Sequence, residues 1–330
     1  MRLDNIAIMR VFCILVVVFF HCYGMMYAGS HFPISKPVYE QFYFIVNQCV
    51  FINVAMPLFV LISGYLFAFL LQLGKYPTWG NLLRKKGLRI LLPYFVFGFF
   101  FMATTGNWHP LRLLYGTYWH LWFLPMLFWC FIVGYAVHKG KLDKCLELCL
   151  LSLALVGSFM PGCIPSVMGT KYITVYFYWF YLGMLCYKYR DALSSYLGKY
   201  KLSVLLLITS IAIIVLFPVE YGDNTWYGNL AITCCIVSLS CLMNGVDWRK
   251  YRMTAPIVKF STYSFGIYIW HNWVALMLIS KTSQRIFGLP DLAANHVILF
   301  PLCFSLITLA ISWGLSWVMM KTKVGKFLIG

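Results

Sequence analysis

Arg10 and His21 lie eleven residues apart inside the first apolar run of the chain. On a helix that spacing is about three turns plus 20°, so both side chains point the same way, about 16 Å apart along the axis. An arginine near the middle of a lipid-spanning helix costs roughly 2.5–3.5 kcal/mol on insertion scales, so it turns inward, towards an anion or a partner. A neutral imidazole, with an ordinary pKa of about 6.5, can accept a hydroxyl proton near physiological pH. The pair therefore reads as an anion-holding cation and a general base facing one cavity. The structural alternative is an arginine snorkelling at the membrane edge and a packed, hydrogen-bonded histidine.

Other chemistry-bearing residues sort by depth. Counted at ~1.5 Å per residue from one membrane face, His21 and His271 lie at similar heights, about 22 and 21 Å along their spans, and His120 opens another span at its outer end. Ser63, Lys85, Lys86 and Arg89 fall towards the opposite, cytoplasmic half with Arg10. Arg and Lys suit phosphate, Arg as a bidentate fork and Lys as a point charge, although a basic cytoplasmic loop gives the same pattern. The nine acidic residues all fall near span ends or outside them: Asp4, Asp143, Glu147, Asp191 and Asp247 on one side, Glu40, Glu220, Asp223 and Asp291 on the other. A proton-coupled transporter usually keeps a carboxylate inside its bundle.

The elements that must position these groups follow from composition. With 62% hydrophobic residues and only 11% charged ones, the chain reads as an all-α, polytopic integral membrane protein. About ten transmembrane helices are expected, at roughly 6–27, 42–71, 88–103, 118–138, 144–160, 171–187, 202–218, 226–243, 257–279 and 295–320. No soluble domain is expected, so residues 1–330 are read as a single transmembrane domain. The 42–71 stretch exceeds one crossing and holds Asn53 and Pro57, which predicts a tilted or broken helix.

The net charge of +17 is explained by its distribution rather than by nucleic acid. Twenty basic residues fall on the side of the N-terminus and five on the other, with Arg10 inside a span completing the 26. The positive-inside rule then puts both termini in the cytoplasm. The first segment is read as a helix, because Arg10 interrupts its apolar core and no small-x-small cleavage site follows. The twelve cysteines lack regular spacing or a Cys-x-x-Cys pair and read as small buried hydrophobes. No metal is expected, since no His completes a site with Cys145 and Cys149. Residues 102–118 form an aromatic-rich external loop with Trp108, His109, Arg112 and Tyr115, either an interfacial belt or a platform for a sugar or lipid head group.

Five motifs occur in order along the chain: Arg10 with His21; Asn53-Val-Ala-Met-Pro57-Leu-Phe59-Val-Leu-Ile-Ser63-Gly64; Arg84-Lys85-Lys86-Gly-Leu-Arg89-Ile-Leu-Leu-Pro93-Tyr94; His120-Leu-Trp122-Phe123; and Tyr263-Ser264-Phe-Gly-Ile-Tyr268-Ile-Trp-His271. Together they resemble the membrane-bound acyltransferase family 3, whose members move acyl groups, commonly acetyl, from acyl-CoA to surface glycans. The resemblance implies that Arg10 and His21 are the residues tied most closely to activity. It also implies that Ser63, Lys85, Lys86 and Arg89 hold the acyl-CoA donor, and that His120, Trp122, Tyr268 and His271 hold the acceptor or the developing oxyanion. It further implies a glycan or lipid-linked saccharide as acceptor, membrane lipids as surroundings, and a multi-pass place in a bacterial cytoplasmic membrane. The chain is expected to lack the fused external esterase-like domain of larger family members.

Direct transfer, with His21 as base, and an acyl-histidine intermediate both suit these residues. From other classes, a transporter or flippase for a lipid-linked glycan and a non-catalytic assembly subunit remain open. Acceptor identity, acyl length and oligomeric state are not legible in the sequence.

Overall fold

A computed structural model describes residues 3–26, 37–115, 118–160, 164–197, 200–218, 225–279 and 288–330. Lys36, Glu220, Asp223, Lys281 and Arg285 lie outside the described residues. The described residues are predominantly helical and contain no strand. That is what lipid dictates, since a spanning backbone must satisfy its own N–H and C=O groups.

In chain order, α1 is Leu3–Met25 and α2 is Pro37–Phe42, followed by π-helical turns over Tyr43–Phe51. Then come α3 (Ile52–Gln72), α4 (Trp79–Lys86), a π-helical turn over Gly87–Leu91, α5 (Leu92–Thr105), the short α6 (Arg112–Tyr115) and a 3-10 turn over Trp119–Trp122. They are followed by α7 (Phe123–Gly140), α8 (Lys144–Ser158), α9 (Ile173–Lys188), α10 (Arg190–Leu197), α11 (Tyr200–Leu216) and α12 (Trp226–Gly245). Last are α13 (Thr254–Ser261), α14 (Ser264–Leu278), α15 (Leu289–Asn295), α16 (Leu299–Met320) and α17 (Lys323–Ile329). Polar caps set several starts: Asp143 accepts from the Leu146 N–H at 2.8 Å, Thr225 from Gly228 at 3.2 Å and Thr322 from Gly325 at 2.9 Å. Gly106, at φ 69°, ends α5 in the left-handed conformation that a glycine adopts freely.

Six helices among the described residues are long and apolar enough to cross a membrane: Asp4–Met25, Ile52–Gln72, Trp79–Thr105, Trp119–Gly140, Trp226–Gly245 and Leu299–Met320. They coincide with six of the ten expected segments. The other four are helical but shorter: α8 has 15 residues, α9 16, α11 17 and α14 15.

Three details differ from expectation. The 257–279 segment is divided, because α13 ends at Ser261 and α14 begins at Ser264. In the 42–71 segment the irregularity is the π-helical stretch, and α3 continues through Pro57. The third hydrophobic helix starts as early as Trp79, which places Arg84 to Arg89 on helical turns instead of in a loop.

The chain divides into two compact units, Met1–Met56 with Lys199–Gly330, and Pro57–Gly198. In the first, α1 packs against α13, α14 and α16. Asn5 donates to Asn244 Oδ1 at 2.7 Å and Arg249 pairs with Asp4 at 3.4 Å, so the start of α1 meets the region that ends α12. The Tyr23 hydroxyl donates to the Ile298 carbonyl at 3.0 Å, so the end of α1 meets the start of α16. Both neighbours therefore run antiparallel to α1. In the second unit, α3 and α9 pack backbone to backbone at Gly64 and Gly183. A Cβ on Gly64 would stand 2.0 Å from the Phe180 carbonyl oxygen, and one on Gly183 would stand 2.1 Å from that of Leu61. Small residues permit this approach where lipid supplies no hydrophobic drive between helices.

Of the ten described free cysteines, Cys13, Cys22, Cys130 and Cys235 are buried as expected; Cys145, Cys149 and Cys303 are exposed. In α8 the exposed pair sits with Leu148 and Leu153, themselves 64% and 68% exposed, on a helix whose apolar surface faces outward.

Candidate active site

Helices α1 and α14 meet twice through polar side chains. Near the start of α14, Arg10 Nη2 donates to Ser264 Oγ at 3.0 Å, and that hydroxyl in turn donates to the Ser261 carbonyl at 2.8 Å. Two turns along, His271 Nε2 lies 3.2 Å from His21 Nδ1, the rings meeting edge to face with centroids 4.9 Å apart. Arg10 precedes His21 as Ser264 precedes His271, so the two helices run parallel. The pairs span about 16 Å on α1 and about 10 Å on α14, and the long arginine side chain takes up the difference.

The backbone contacts of the two imidazoles fix their tautomers. His271 Nδ1 lies 2.7 Å from the Tyr268 carbonyl and 3.2 Å from that of Ile267. Carbonyls only accept, so His271 carries its proton on Nδ1 and its Nε2 is an acceptor. His21 Nδ1 lies 2.9 Å from the Val17 carbonyl and faces this His271 Nε2. It must therefore be the protonated nitrogen as well, shared between the two. In the neutral ring, His21 Nε2 then carries the basic lone pair. His271 is fully buried and Tyr268 is 8% exposed, so the imidazole that orients His21 is itself held by packing. Among the described residues, no group of three His, Cys, Asp or Glu side chains is placed to hold a metal.

The partner of Arg10 is a neutral hydroxyl, so this contact leaves the guanidinium charge uncompensated. An arginine held this way can balance an anion without first breaking an ion pair.

The remaining candidates belong to the second unit. Ser63 Oγ donates to the Phe59 carbonyl at 2.9 Å, back-bonding along α3, and its neighbour Gly64 is the point of close approach to α9. Lys85 is exposed and donates to the Lys75 carbonyl at 2.9 Å. Lys86 turns inward into an aromatic cage, its ammonium 3.4 Å from the Phe131 ring centre and about 5.5 Å from those of Phe67 and Tyr76. Such contacts compensate part of the cost of desolvating the charge. Arg89, one turn on, is exposed. His120 is 3% exposed and lies 6.1 Å, ring to ring, from Phe101. It follows Trp119, whose φ of 46° is a conformation that costs a bulky residue of order 1–3 kcal/mol. Stacking of Trp119 on Tyr118, at 4.7 Å, and on Phe101, at 6.1 Å, holds that turn. Trp122 stacks near Tyr172 and Tyr176, with centroids at 4.5 and 5.3 Å.

The structure thus brings together Arg10, Ser264, His21 and His271, the last two as a hydrogen-bonded dyad. Sequence reasoning gave Ser264 no role and placed His271 on the acceptor. The available signal was the seven-residue interval from Ser264 to His271, which puts both on one helical face.

These features, apolar helices long enough to cross a membrane and two histidines hydrogen-bonded to each other on the helices that also pair Arg10 with Ser264, define the class as an integral membrane protein. An acyltransferase domain model matches residues 3–317, through both compact units, and the chain belongs to this family, acyltransferase family 3. Comparison with curated proteins and with solved structures gave no match.

Proposed function

We propose that this protein is a multi-pass O-acyltransferase of a bacterial cytoplasmic membrane, moving an acyl group, acetyl in the first instance, from cytosolic acyl-CoA to a hydroxyl of an extracytoplasmic or lipid-linked glycan. Membership of the acyltransferase family supports the reaction class. The observation that carries the mechanism is the His21–His271 dyad, which leaves the proton-accepting lone pair of His21 on Nε2.

In this reading the acceptor hydroxyl gives its proton to His21 Nε2 as its oxygen bonds to the thioester carbonyl carbon. Collapse of the tetrahedral intermediate breaks the C–S bond, and the imidazolium returns the proton to the departing thiolate, releasing CoA and the acyl ester. His271 keeps His21 in the reactive tautomer and orientation. Arg10 balances negative charge on the donor or intermediate. Lys85 and Arg89, both exposed, are assigned to donor phosphates together with the caged Lys86, and Ser63 on α3 is assigned to the donor as well. His120, Trp122 and Tyr268 are assigned to the acceptor.

Ten spans with both termini cytoplasmic, forming one domain over 1–330, complete the proposal. The directions seen in the first unit support it: α14 runs parallel to α1 while α12 and α16 run antiparallel, as the alternation of ten spans requires.

The test is incubation of the purified protein with labelled acetyl-CoA and an extracted surface-glycan pool. Label should enter the glycan with wild-type protein and not with His21→Ala. Donor-independent movement of glycan across vesicles, without label transfer, would identify a flippase instead.

A further inference from the structure

The second unit contains a cavity of about 510 Å³ at the ends of α3, α7 and α9, where α8 and α10 begin, and none of its lining residues belongs to the candidate active site. That volume is within the range of small-molecule sites, about 300–1,000 Å³. Its polar side carries Lys141, Lys188 and Arg190. Glu147 pairs with Lys188 at 2.6 Å, and Asp191, outside the lining and 91% exposed, stands 3.9 Å from Arg190 Nε, a solvent-screened pair; the lining itself, with one carboxylate against three cations, keeps an excess of positive charge. Arg190 is held in place, donating to the Tyr187 carbonyl at 3.1 Å with its guanidinium 4.7 Å from the Tyr187 ring centre. Deeper in, the Tyr181 side chain is 2% exposed, and its hydroxyl has no hydrogen-bond partner among the described residues. Buried hydroxyls are nearly always paired, so one that lines a cavity points to an occupant with a polar group.

The lining also holds His138 and Gln72, whose side-chain oxygen accepts from the Tyr187 hydroxyl, and its apolar walls are Ala68, Val137, Leu142, Met184 and Leu185. Next to it, α8 turns Leu148 and Leu153 outward, a surface that suits hydrocarbon. Clustered cations at a helix-end level, an unsatisfied hydroxyl and an adjoining apolar face are complementary to one kind of molecule, an amphiphile with a phosphate head. We infer that this cavity binds the phosphodiester head group of an anionic phospholipid, with Lys141 and Arg190 contacting the phosphate, Tyr181 donating to it or to a head-group hydroxyl, and the acyl chains lying along α8. A phosphate-bearing nucleotide would satisfy the cations but leave the apolar surface of α8 without a counterpart.

The test uses the full chain in a neutral detergent and needs no turnover, so it stands apart from the acyltransferase assignment. Thermal unfolding is followed while phosphatidylglycerol, phosphatidylcholine of the same chain length, inorganic phosphate or CoA is added. Phosphatidylglycerol should raise the midpoint saturably, and phosphatidylcholine and inorganic phosphate should not. The double variant Lys141→Gln/Arg190→Gln should raise the half-saturating phosphatidylglycerol concentration at least fivefold. Should that variant fail to fold, Tyr181→Phe, which removes one oxygen atom, should raise it by at least twofold. Equal shifts with phosphatidylcholine, a phosphatidylglycerol shift unchanged in the variants, or a larger variant-sensitive shift with CoA would each overturn the lipid assignment, the last in favour of a soluble phosphate ligand.

Discussion

Arg10 and His21 are two side chains of one helix whose chemistry is set by two side chains of another. Removing a positioned base typically costs ~10²–10⁴-fold, so His21→Ala should lose transfer by that factor at unchanged protein level. Activity within threefold of wild type would remove His21 from the mechanism. His271→Ala leaves the base in place but frees its tautomer and orientation, so kcat should fall by about 10- to 100-fold with KM little changed, as expected for a residue acting through another. Because the two rings act as a unit, the double variant His21→Ala/His271→Ala should be no worse than His21→Ala alone. Multiplicative losses in that cycle would show that His271 has an independent role. Ser264→Ala deletes the hydroxyl that holds Arg10, a hydrogen bond to a charged group worth ~1.5–3 kcal/mol, and should slow turnover by about tenfold or more. Arg10→Lys, which keeps the charge and loses the planar fork, should retain partial activity, whereas Arg10→Ala should retain almost none; steady-state kinetics at matched protein levels compares them.

At the level of helices, the second unit depends on backbone contact between α3 and α9. Gly64 and Gly183 each face a carbonyl oxygen of the opposite helix, which no rotamer change can move aside. Gly183→Ala should therefore destabilise the protein by at least the ~1–3 kcal/mol typical of overpacking, seen as a lowered unfolding midpoint or as loss of accumulated protein. Gly87 is the matched control: a Cβ there meets nothing within 4 Å, so Gly87→Ala should leave stability equal or slightly raised. Indistinguishable midpoints for the two variants would mean that α3 and α9 are not in backbone contact. The Ser63-Gly64 step thus has a packing explanation that holds whatever Ser63 does for the donor.

For the whole molecule, the twenty-to-five division of basic residues makes a prediction about sidedness. In a background where the exposed Cys145, Cys149 and Cys303 are replaced by serine, cysteines introduced at Lys326 and Asn107, both exposed, should react with a membrane-impermeant thiol reagent from opposite faces of oriented vesicles. Lys326→Cys should label from the cytoplasmic face. Labelling of both from one face would refute the alternating topology and, with it, transfer from a cytosolic donor to an external acceptor.

Composition and local spacing determined the class of the molecule. A chain so apolar can only hide its backbone in helices, and eleven residues on a helix return Arg10 and His21 to one face whatever surrounds them. The order of five short motifs was enough for the family. What spacing could not supply was the partner of each polar group. Arg10 and Ser264 are 254 residues apart and His21 and His271 are 250, so only the packing of α14 beside α1 pairs them. The same holds for Lys86, which reads in sequence as one more cytoplasmic charge, since every residue of a basic run looks alike until the fold turns one inward against Phe131. Helix formation is a local property of the chain, but the tautomer of His21 depends on a neighbouring ring that only tertiary packing delivers.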